Sequence, residues 1–451
     1  MMDAAEAARA TGGRLEGEAV RFSRVRTDSR TVGSGDLFIA LKGERFDGHE
    51  YVPRAEQQGA AASVVSRRVE GAKRAQVVVG DTRLALGRLA AHWRAKFTLP
   101  VVALTGSNGK TTVKEMLASI LAAHADAREA VLATSGNLNN DIGMPLTLLE
   151  LRGAHRYAVI EMGMNHEGEI DYLTRIAHPT VALVNNAQRA HVGILGSVEA
   201  IARAKGEIYA GLDAGGVAVV NEDDAFAAYW KKLNAGRRVV TFGCAGGASV
   251  RGRMEGGRVQ VTTPHATFLV SLKVAGEHNV RNALAACAAA HALGIPATAM
   301  QEGLDRFAGV PGRLQRRRAA GGGWVIDDTY NANPESMKAA INVLAAEKGR
   351  RVFVMGDMGE LGEDGPAMHA EVGEFARAAG IDALLAVGPA SAHAAEAFGP
   401  QARHFDALEG ARDAAKAEAA AGATVLVKGS RFMQMERIAD ALAARGGPDA
   451  A

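Results

Sequence analysis

Lys110, Thr111 and Thr112 stand directly after a glycine turn, Gly106-Ser107-Asn108-Gly109. These residue types at this spacing can hold a phosphate chain. Backbone N–H groups of a glycine loop converge on an anion, a lysine adds a point charge, and a threonine hydroxyl reaches Mg²⁺. The usual pattern G-x-x-x-x-G-K-[ST] puts its first glycine at the position of Leu104, so the loop is a shortened form, G-x-x-G-K-T-T. The bland alternative is a turn before an ordinary helix, with Lys110 in solvent.

The flanking sequence favours the phosphate loop. Val101 to Leu104 is a short apolar run that reads as a buried strand. Val113, Met116, Leu117, Ile120 and Leu121 recur on one helical face. The chemistry therefore sits between a strand and a helix.

Further apolar runs alternate with helical patterns, which implies a mostly parallel sheet covered by helices. Ligands of such sheets lie at the carboxyl ends of the strands. Tyr157–Ile160 ends in Glu161, a candidate Mg²⁺ ligand beside a loop threonine. Val181–Val184 ends in Asn185-Asn186, with His191 shortly after. Histidine is an unusual partner for Mg²⁺, which prefers oxygen. The loop Thr134–Gly143 carries Asn137, Asn139, Asn140 and Asp141, amides and a carboxylate that bind polar ligands or cap a helix. Asp141 is a candidate cap. Lys205, on the amphipathic segment Ile201–Leu212, reads by itself as a surface lysine.

The 451 residues suggest roughly three domains at about 100–200 residues each. Hydrophobic content of 48% and charged content of 23% are ordinary for a soluble protein. A net charge of +2 gives no reason to expect nucleic acid or an anionic membrane as partner. Two cysteines exclude a disulfide framework and fit a reducing cytoplasm. No apolar run is long enough for a membrane span.

Residues 1–98 form an expected small N-terminal α/β domain, with a helix over Ala55–Ala62 and another over Asp81–Lys96. On the latter, Leu84, Leu86, Leu89, Ala90 and Trp93 share a face. Arg30, Lys42, Arg45 and His49 can face a diphosphate; taken alone they read as solvated loop charges. Residues 99–311 form the central phosphate-loop domain, with a β-meander over 238–275. Residues 312–451 form a second, Rossmann-like α/β unit without G-x-G-x-x-G. Its strand ends carry Asp328-Thr-Tyr330-Asn331-Ala-Asn333, Gly356-Asp-Met-Gly-Glu360 and Lys428-Gly-Ser430-Arg431, while Arg316–Arg318 reads as a solvated turn.

Taken together, Thr105–Thr112, Glu161, His191, Ala204-Lys205-Gly-Glu207, Glu277-His-Asn279 to Asn282 and Pro311-Gly-Arg313 resemble the Mur ligases of peptidoglycan synthesis. The resemblance spans the whole chain, and the shortened loop is the family's own form. It implies an ATP-dependent amide ligase working through an acyl phosphate. Lys110 would contact the β/γ-phosphates, with Gly106, Ser107, Asn108, Gly109 and Thr112 around them. Thr111, Glu161, His191 and a carbamylated Lys205 would support Mg²⁺. Asn279 and Asn282 would lie near adenine, Arg313 near phosphate, and Asp328 near the ribose.

Gly43–Asp47, Thr134–Gly143, Asp328–Pro334, Gly356–Gly362 and Lys428–Arg431 resemble the family member that joins D-alanyl-D-alanine to UDP-N-acetylmuramoyl-tripeptide. That implies substrate contacts at Ser29, Arg30, Lys42 and Phe46 on the UDP side and at Asn137, Asn139, Asn140 and Asp141. Tyr330, Asn331, Asn333, Lys428 and Ser430 would stand on the dipeptide side, in a cytoplasmic monomer. Rival readings are a folylpolyglutamate-synthetase-like ligase, the preceding ligase of the family, and a nucleotide-binding regulator without ligase chemistry. The chain departs from the family at Gly193, where a glutamate often follows the histidine.

Overall fold

The computed structural model describes residues 1–444; residues 445–451 of the expected third domain lie outside the described residues. The fold is three α/β domains, each built on its own sheet.

The central sheet has nine strands. From one edge the order is Thr267–Val270, Arg258–Thr262, Val250–Glu255, Arg238–Gly243, Val217–Asn221, Val181–Val184, Val101–Thr105, Tyr157–Glu161 and Val131–Ala133. The pairs from Val131–Ala133 to Val250–Glu255 are parallel, and the strands over 250–270 form an antiparallel extension. The register pairs Leu104 with both Leu183 and Glu161. Thr105, Glu161 and Val184 therefore end together at one carboxyl edge, where the chain leaves into loops.

The Lys110–Ala125 helix buries the face read from the sequence: Val113, Met116, Leu117, Ile120 and Leu121 are all fully buried. It packs with the Ala-rich helix Glu277–Ala292 against Val102, Leu104, Leu183 and Val219. Each fully buried Val or Leu contributes about 1.5–3 kcal/mol relative to exposure. The opposite sheet face shares one core with the N-terminal domain, in which Leu86, Leu89 and Trp93 join Met144, Leu148 and Ile170.

The N-terminal sheet runs Arg14–Glu16, Ala75–Val78, Ala62–Val65, Asp36–Ile39, Arg24–Arg26. The helix expected over Ala55–Ala62 lies instead at Val52–Gln57. Gly59 turns the chain at φ 109°, and Ala62 already belongs to a strand, because burial in the sheet outweighs alanine's helix preference. The next helix is Thr82–Arg94, with the Asp81 carboxylate accepting from the Arg83 and Leu84 N–H groups at 2.7 and 2.9 Å. Leu84 is exposed rather than on the packed face, which is Ala85, Leu86, Leu89, Ala90 and Trp93.

The C-terminal sheet runs Gln315–Arg318, Trp324–Asp328, Thr424–Lys428, Arg351–Gly356, Ala383–Val387, Ala402–Phe405. Arg316–Arg318 is thus an antiparallel edge strand, not a turn. Alternation along the strand explains it. Arg316 and Arg318 lie 4.1 and 3.8 Å above the Trp324 ring, while Arg317 points the other way to Asp327 and Asp440.

Candidate active site

The glycine loop is held from behind by side-chain amides. Ser107 N–H donates to the Asn186 carbonyl, and Asn108 N–H donates to Asn186 Oδ1 at 2.8 Å. Asn185 Nδ2 donates both to the Asn108 carbonyl and to Asn282 Oδ1. Asn282 in turn donates to Asn279 Oδ1 at 3.1 Å. The expected adenine-side pair Asn279 and Asn282 is thus buried and tied into the loop's support.

This crowding explains the glycines. A Cβ on Gly106 would lie 2.9 Å from the Asn185 Cβ. On Gly109, at φ 78°, it would lie 2.3 Å from Asn282 Oδ1. Gly109 also ends the loop in the left-handed conformation from which the Lys110–Ala125 helix starts. The loop N–H groups, the helix N-terminus and Lys110 gather at one place, a cradle that suits a phosphate chain.

Lys110 Nζ donates to the Gly106 carbonyl at 2.7 Å. Desolvation lowers its pKa and Arg313 works in the same direction, while Glu161 pulls it up. Thr111 Oγ1 donates to Glu161 Oε2 at 2.8 Å and accepts from Arg313 Nη2 at 2.8 Å. Asn139 Nδ2 donates to the other Glu161 oxygen at 2.7 Å. Loop hydroxyl, strand-end carboxylate and interdomain arginine therefore form one chain of contacts. Arg313 also stacks 4.1 Å above the Tyr330 ring.

Lys205 is 1% exposed on the helix Val198–Gly206 and is not a surface lysine. Burial lowers its pKa well below the usual lysine value, and the neighbouring Lys110 charge adds to the effect. Its side chain lines the same cleft as Lys110 and Glu161.

That cleft, about 1560 Å³, lies between the central and C-terminal domains and reaches the N-terminal one. It brings together most of the residues singled out in the sequence. Ser107, Asn108, Gly109, Lys110 and Thr112 line it with Glu161, His191 and Lys205. Asn137, Asn139, Asn140 and Asp141 form one wall, and Asn279, Asn282, Arg313 and Asp328 another. Tyr330, Asn331, Asn333, Lys428 and Ser430 face them from the C-terminal domain. Gly106 and Thr111, both buried, are not among the lining residues.

Several of these side chains have structural partners. Lys428 Nζ, nearly fully buried, lies 2.5 Å from Asp328 Oδ2 and donates to the Asn331 carbonyl. Asn333 caps the helix Pro334–Ala345 by accepting from Ser336 N–H at 2.9 Å. Asp141 does not cap the helix Gly143–Leu149. Asn140 Oδ1 accepts from Gly143 N–H instead, and Asp141 pairs with Arg83 of the N-terminal domain.

Ser29, Arg30, Lys42 and Phe46 lie outside this cleft. Arg30 pairs with Asp28 at 2.6 Å, Ser29 is buried, and Phe46 is an exposed aromatic packed beside Gly43.

Sequence reasoning missed the C-terminal domain's grip on the central loops. Arg189 makes two 2.8 Å bonds to the Glu371 carboxylate and one of 2.5 Å to Glu335. The pairing holds Glu371 down at about 2. His191 Nδ1 lies 2.6 Å from Glu360 Oε2, and the histidine keeps the Glu360 carboxyl below its usual range. His278 also lines the cleft, and its pKa falls to about 4, chiefly through burial. The strand-end position of Glu360 was a usable signal. Arg189 gave none, since its partners are far away in sequence.

Among the described residues no group of three or more His, Cys, Asp or Glu side chains converges on a metal position. Oxygen donors from Thr111 and Glu161 beside a phosphate cradle nonetheless suit Mg²⁺, which is commonly shared with nucleotide phosphates and water rather than caged by protein. No helix among the described residues is long and apolar enough to cross a membrane.

Three family models match: "Mur ligase family, catalytic domain" over residues 21–94, "Mur ligase middle domain" over 104–290, and "Mur ligase, glutamate ligase domain" over 312–431. The UDP-N-acetylmuramoyl-tripeptide--D-alanyl-D-alanine ligase of Escherichia coli (strain K12) is 42% identical over 442 residues, covering 96% of each chain. MurF from Acinetobacter baumannii is similar in structure, with a TM-score of 0.90 at 41% identity over 97% of both chains. MurF ligase from Thermotoga maritima, in complex with ADP, has a TM-score of 0.80 at 28% identity over 93% of this chain and 96% of that one.

Proposed function

The chain belongs to the Mur ligase family, and from that premise we propose that it joins D-alanyl-D-alanine to UDP-N-acetylmuramoyl-tripeptide, with ATP converted to ADP and phosphate. The observation that carries this reading is one cleft lined by Lys110, Glu161 and Lys205 on one side and by Asp328, Tyr330 and Lys428 on the other. A phosphate loop facing a second polar wall suits a reaction between a nucleotide and two further substrates.

In this reaction the terminal carboxylate of the tripeptide attacks the γ-phosphorus of ATP, giving an acyl phosphate and ADP. The dipeptide amine then attacks the acyl carbon, the amide forms, and phosphate leaves. Lys110 and the loop N–H groups neutralise charge on the transferring phosphoryl. Arg313 moves from Thr111 to phosphate. Thr111, Glu161 and His191 would hold Mg²⁺, which when bound neutralises phosphate charge. The amine, with a free pKa of about 7.7–8.0, is at least about half neutral near pH 8 and needs no strong base. Domain docking supplies orientation and excludes water.

We assign Lys205 as the site of a carbamate. A neutral buried amine adds CO₂ and loses a proton, becoming an anion beside Lys110. That change sets an anion beside the Lys110 charge and adds an oxygen donor to the cleft that Glu161 also lines. Asn279, Asn282 and Asp328 would frame the nucleoside. Asn137, Asn139, Asn140 and Asp141 would meet the tripeptide, and Tyr330, Asn331, Asn333, Lys428 and Ser430 would stand on the dipeptide side. Ser29, Arg30, Lys42 and exposed Phe46 would hold the UDP end in the N-terminal domain. The three domains would divide at residues 98 and 311, in a cytoplasmic monomer.

The test is ADP release with UDP-N-acetylmuramoyl-tripeptide, with and without D-alanyl-D-alanine. Turnover that requires the dipeptide is expected. Release independent of it, or none with both substrates, overturns the reading.

A further inference from the structure

His191 and Glu360 meet across the boundary between the central and C-terminal domains, 2.6 Å apart. The contact is anchored at main-chain level too, since Gly193 N–H donates to the Glu360 carbonyl at 2.9 Å. Both residues are in the left-handed region without being glycine, at φ 63° and φ 61°. Such conformations persist only where surrounding structure enforces them, and they gather at functional sites. Gly193 completes the arrangement. A Cβ there would lie 2.3 Å from the Gly362 nitrogen, so bare backbone is what lets the two loops touch.

We propose that Glu360 is a positioning residue. It fixes the His191 ring, so that the cleft's metal-holding set of Thr111, Glu161 and His191 is complete only while the C-terminal domain is docked. This rests on the ligase reading above. The contact is an ion-pair approach rather than an aligned hydrogen bond, and a carboxylate beside Nδ1 favours the tautomer protonated on that nitrogen, which leaves Nε2 as the acceptor or ligand. Glu360 itself lines the same cleft as His191, Glu161 and Lys205. The domain that brings the dipeptide wall therefore also brings the group that orients a central-domain histidine. Phosphoryl transfer before docking would waste ATP, and the His191–Glu360 contact couples the two events.

The test uses the full-length protein and Glu360→Gln, which keeps the side chain's size, with Glu360→Asp as the conservative variant. Mn²⁺ binding in the presence of ADP, followed by the electron paramagnetic resonance of free Mn²⁺, reads the metal site without turnover. Glu360→Gln is expected to weaken Mn²⁺ binding and lower kcat, each about tenfold, the lower end for a residue that orients a metal ligand. KM for the dipeptide and the thermal midpoint stay near wild type, and Glu360→Asp recovers part of the loss. Because Glu360 acts through His191, the double variant with His191→Ala is no worse than His191→Ala alone. Unchanged Mn²⁺ affinity, or losses that multiply in the double variant, overturns the proposal. Absence of dipeptide-dependent ADP release in the wild type refutes the ligase reading instead, and the Mn²⁺ titration still decides the role of Glu360.

Discussion

Asn108 in the glycine loop and Asn333 in the C-terminal domain hold each other through both amides. Asn333 Nδ2 donates to Asn108 Oδ1 at 2.8 Å, and Asn108 Nδ2 donates to Asn333 Oδ1 at 3.3 Å. The loop expected to carry phosphate is therefore bonded to the N-cap of a helix in another domain. Asn333→Asp keeps the cap but loses the donor to Asn108. It should lower kcat/KM for ATP about five- to tenfold, the scale of one hydrogen bond, with little change in thermal midpoint. Asn333→Ala should also lose about 1 kcal/mol of stability with the cap. Steady-state kinetics and calorimetry of both variants check this; equal behaviour of the two would contradict it.

Lys110→Ala should reduce turnover by about 10²–10³-fold or more, because the charge stabilises the transferring phosphoryl. The helix core behind the loop is untouched, so the protein stays folded by circular dichroism. Phosphate release near the wild-type rate at saturating substrates would sink the assignment.

Lys205→Ala should be almost inactive, and short-chain carboxylic acids should restore part of its turnover by supplying an anion in the vacated space. Wild-type enzyme stripped of CO₂ and bicarbonate should slow and recover when bicarbonate returns. Absence of both effects would refute the carbamate.

The Arg189–Glu371 pair makes a pH prediction. Glu371 sits at about 2 in the folded protein against an ordinary value of 4.5, chiefly through its bonds to Arg189. Above pH 4.5 its contribution is complete; between 4.5 and about 2 the unfolded chain takes up a proton that the folded one refuses, so the contribution fades. Glu371→Gln should therefore lower the thermal midpoint at pH 7, and the gap to wild type should close as pH falls through that window. Melting curves from pH 7 to pH 3 suffice, and a constant gap would count against the pairing.

Gly193→Glu introduces the residue that the family often carries near this position. The Cβ contact of 2.3 Å with Gly362 means that the side chain must push the C-terminal loop away. Turnover should fall by at least about tenfold while the central domain keeps its fold. Small-angle scattering should report a larger radius of gyration; full activity would remove Gly193 from the docking contact.

The sequence by itself determined the strand–loop–helix carrying Lys110, the polar ends of the neighbouring strands, and the α/β character of each domain. These are local signals: apolar periodicity, glycine turns, and the rule that ligands meet parallel sheets at their carboxyl edge. The same local logic misread Ala55–Ala62, Leu84 and Arg316–Arg318. There, sheet pairing, helix phase and stacking on Trp324 outweighed composition. Only the tertiary structure decided that Lys205 is buried rather than exposed, and that Asn279 and Asn282 brace the glycine loop. It alone placed Glu360 on His191 and Asn333 on Asn108. Those outcomes depend on which distant segments become neighbours, and a desolvated lysine or a bond between domains exists only once they do.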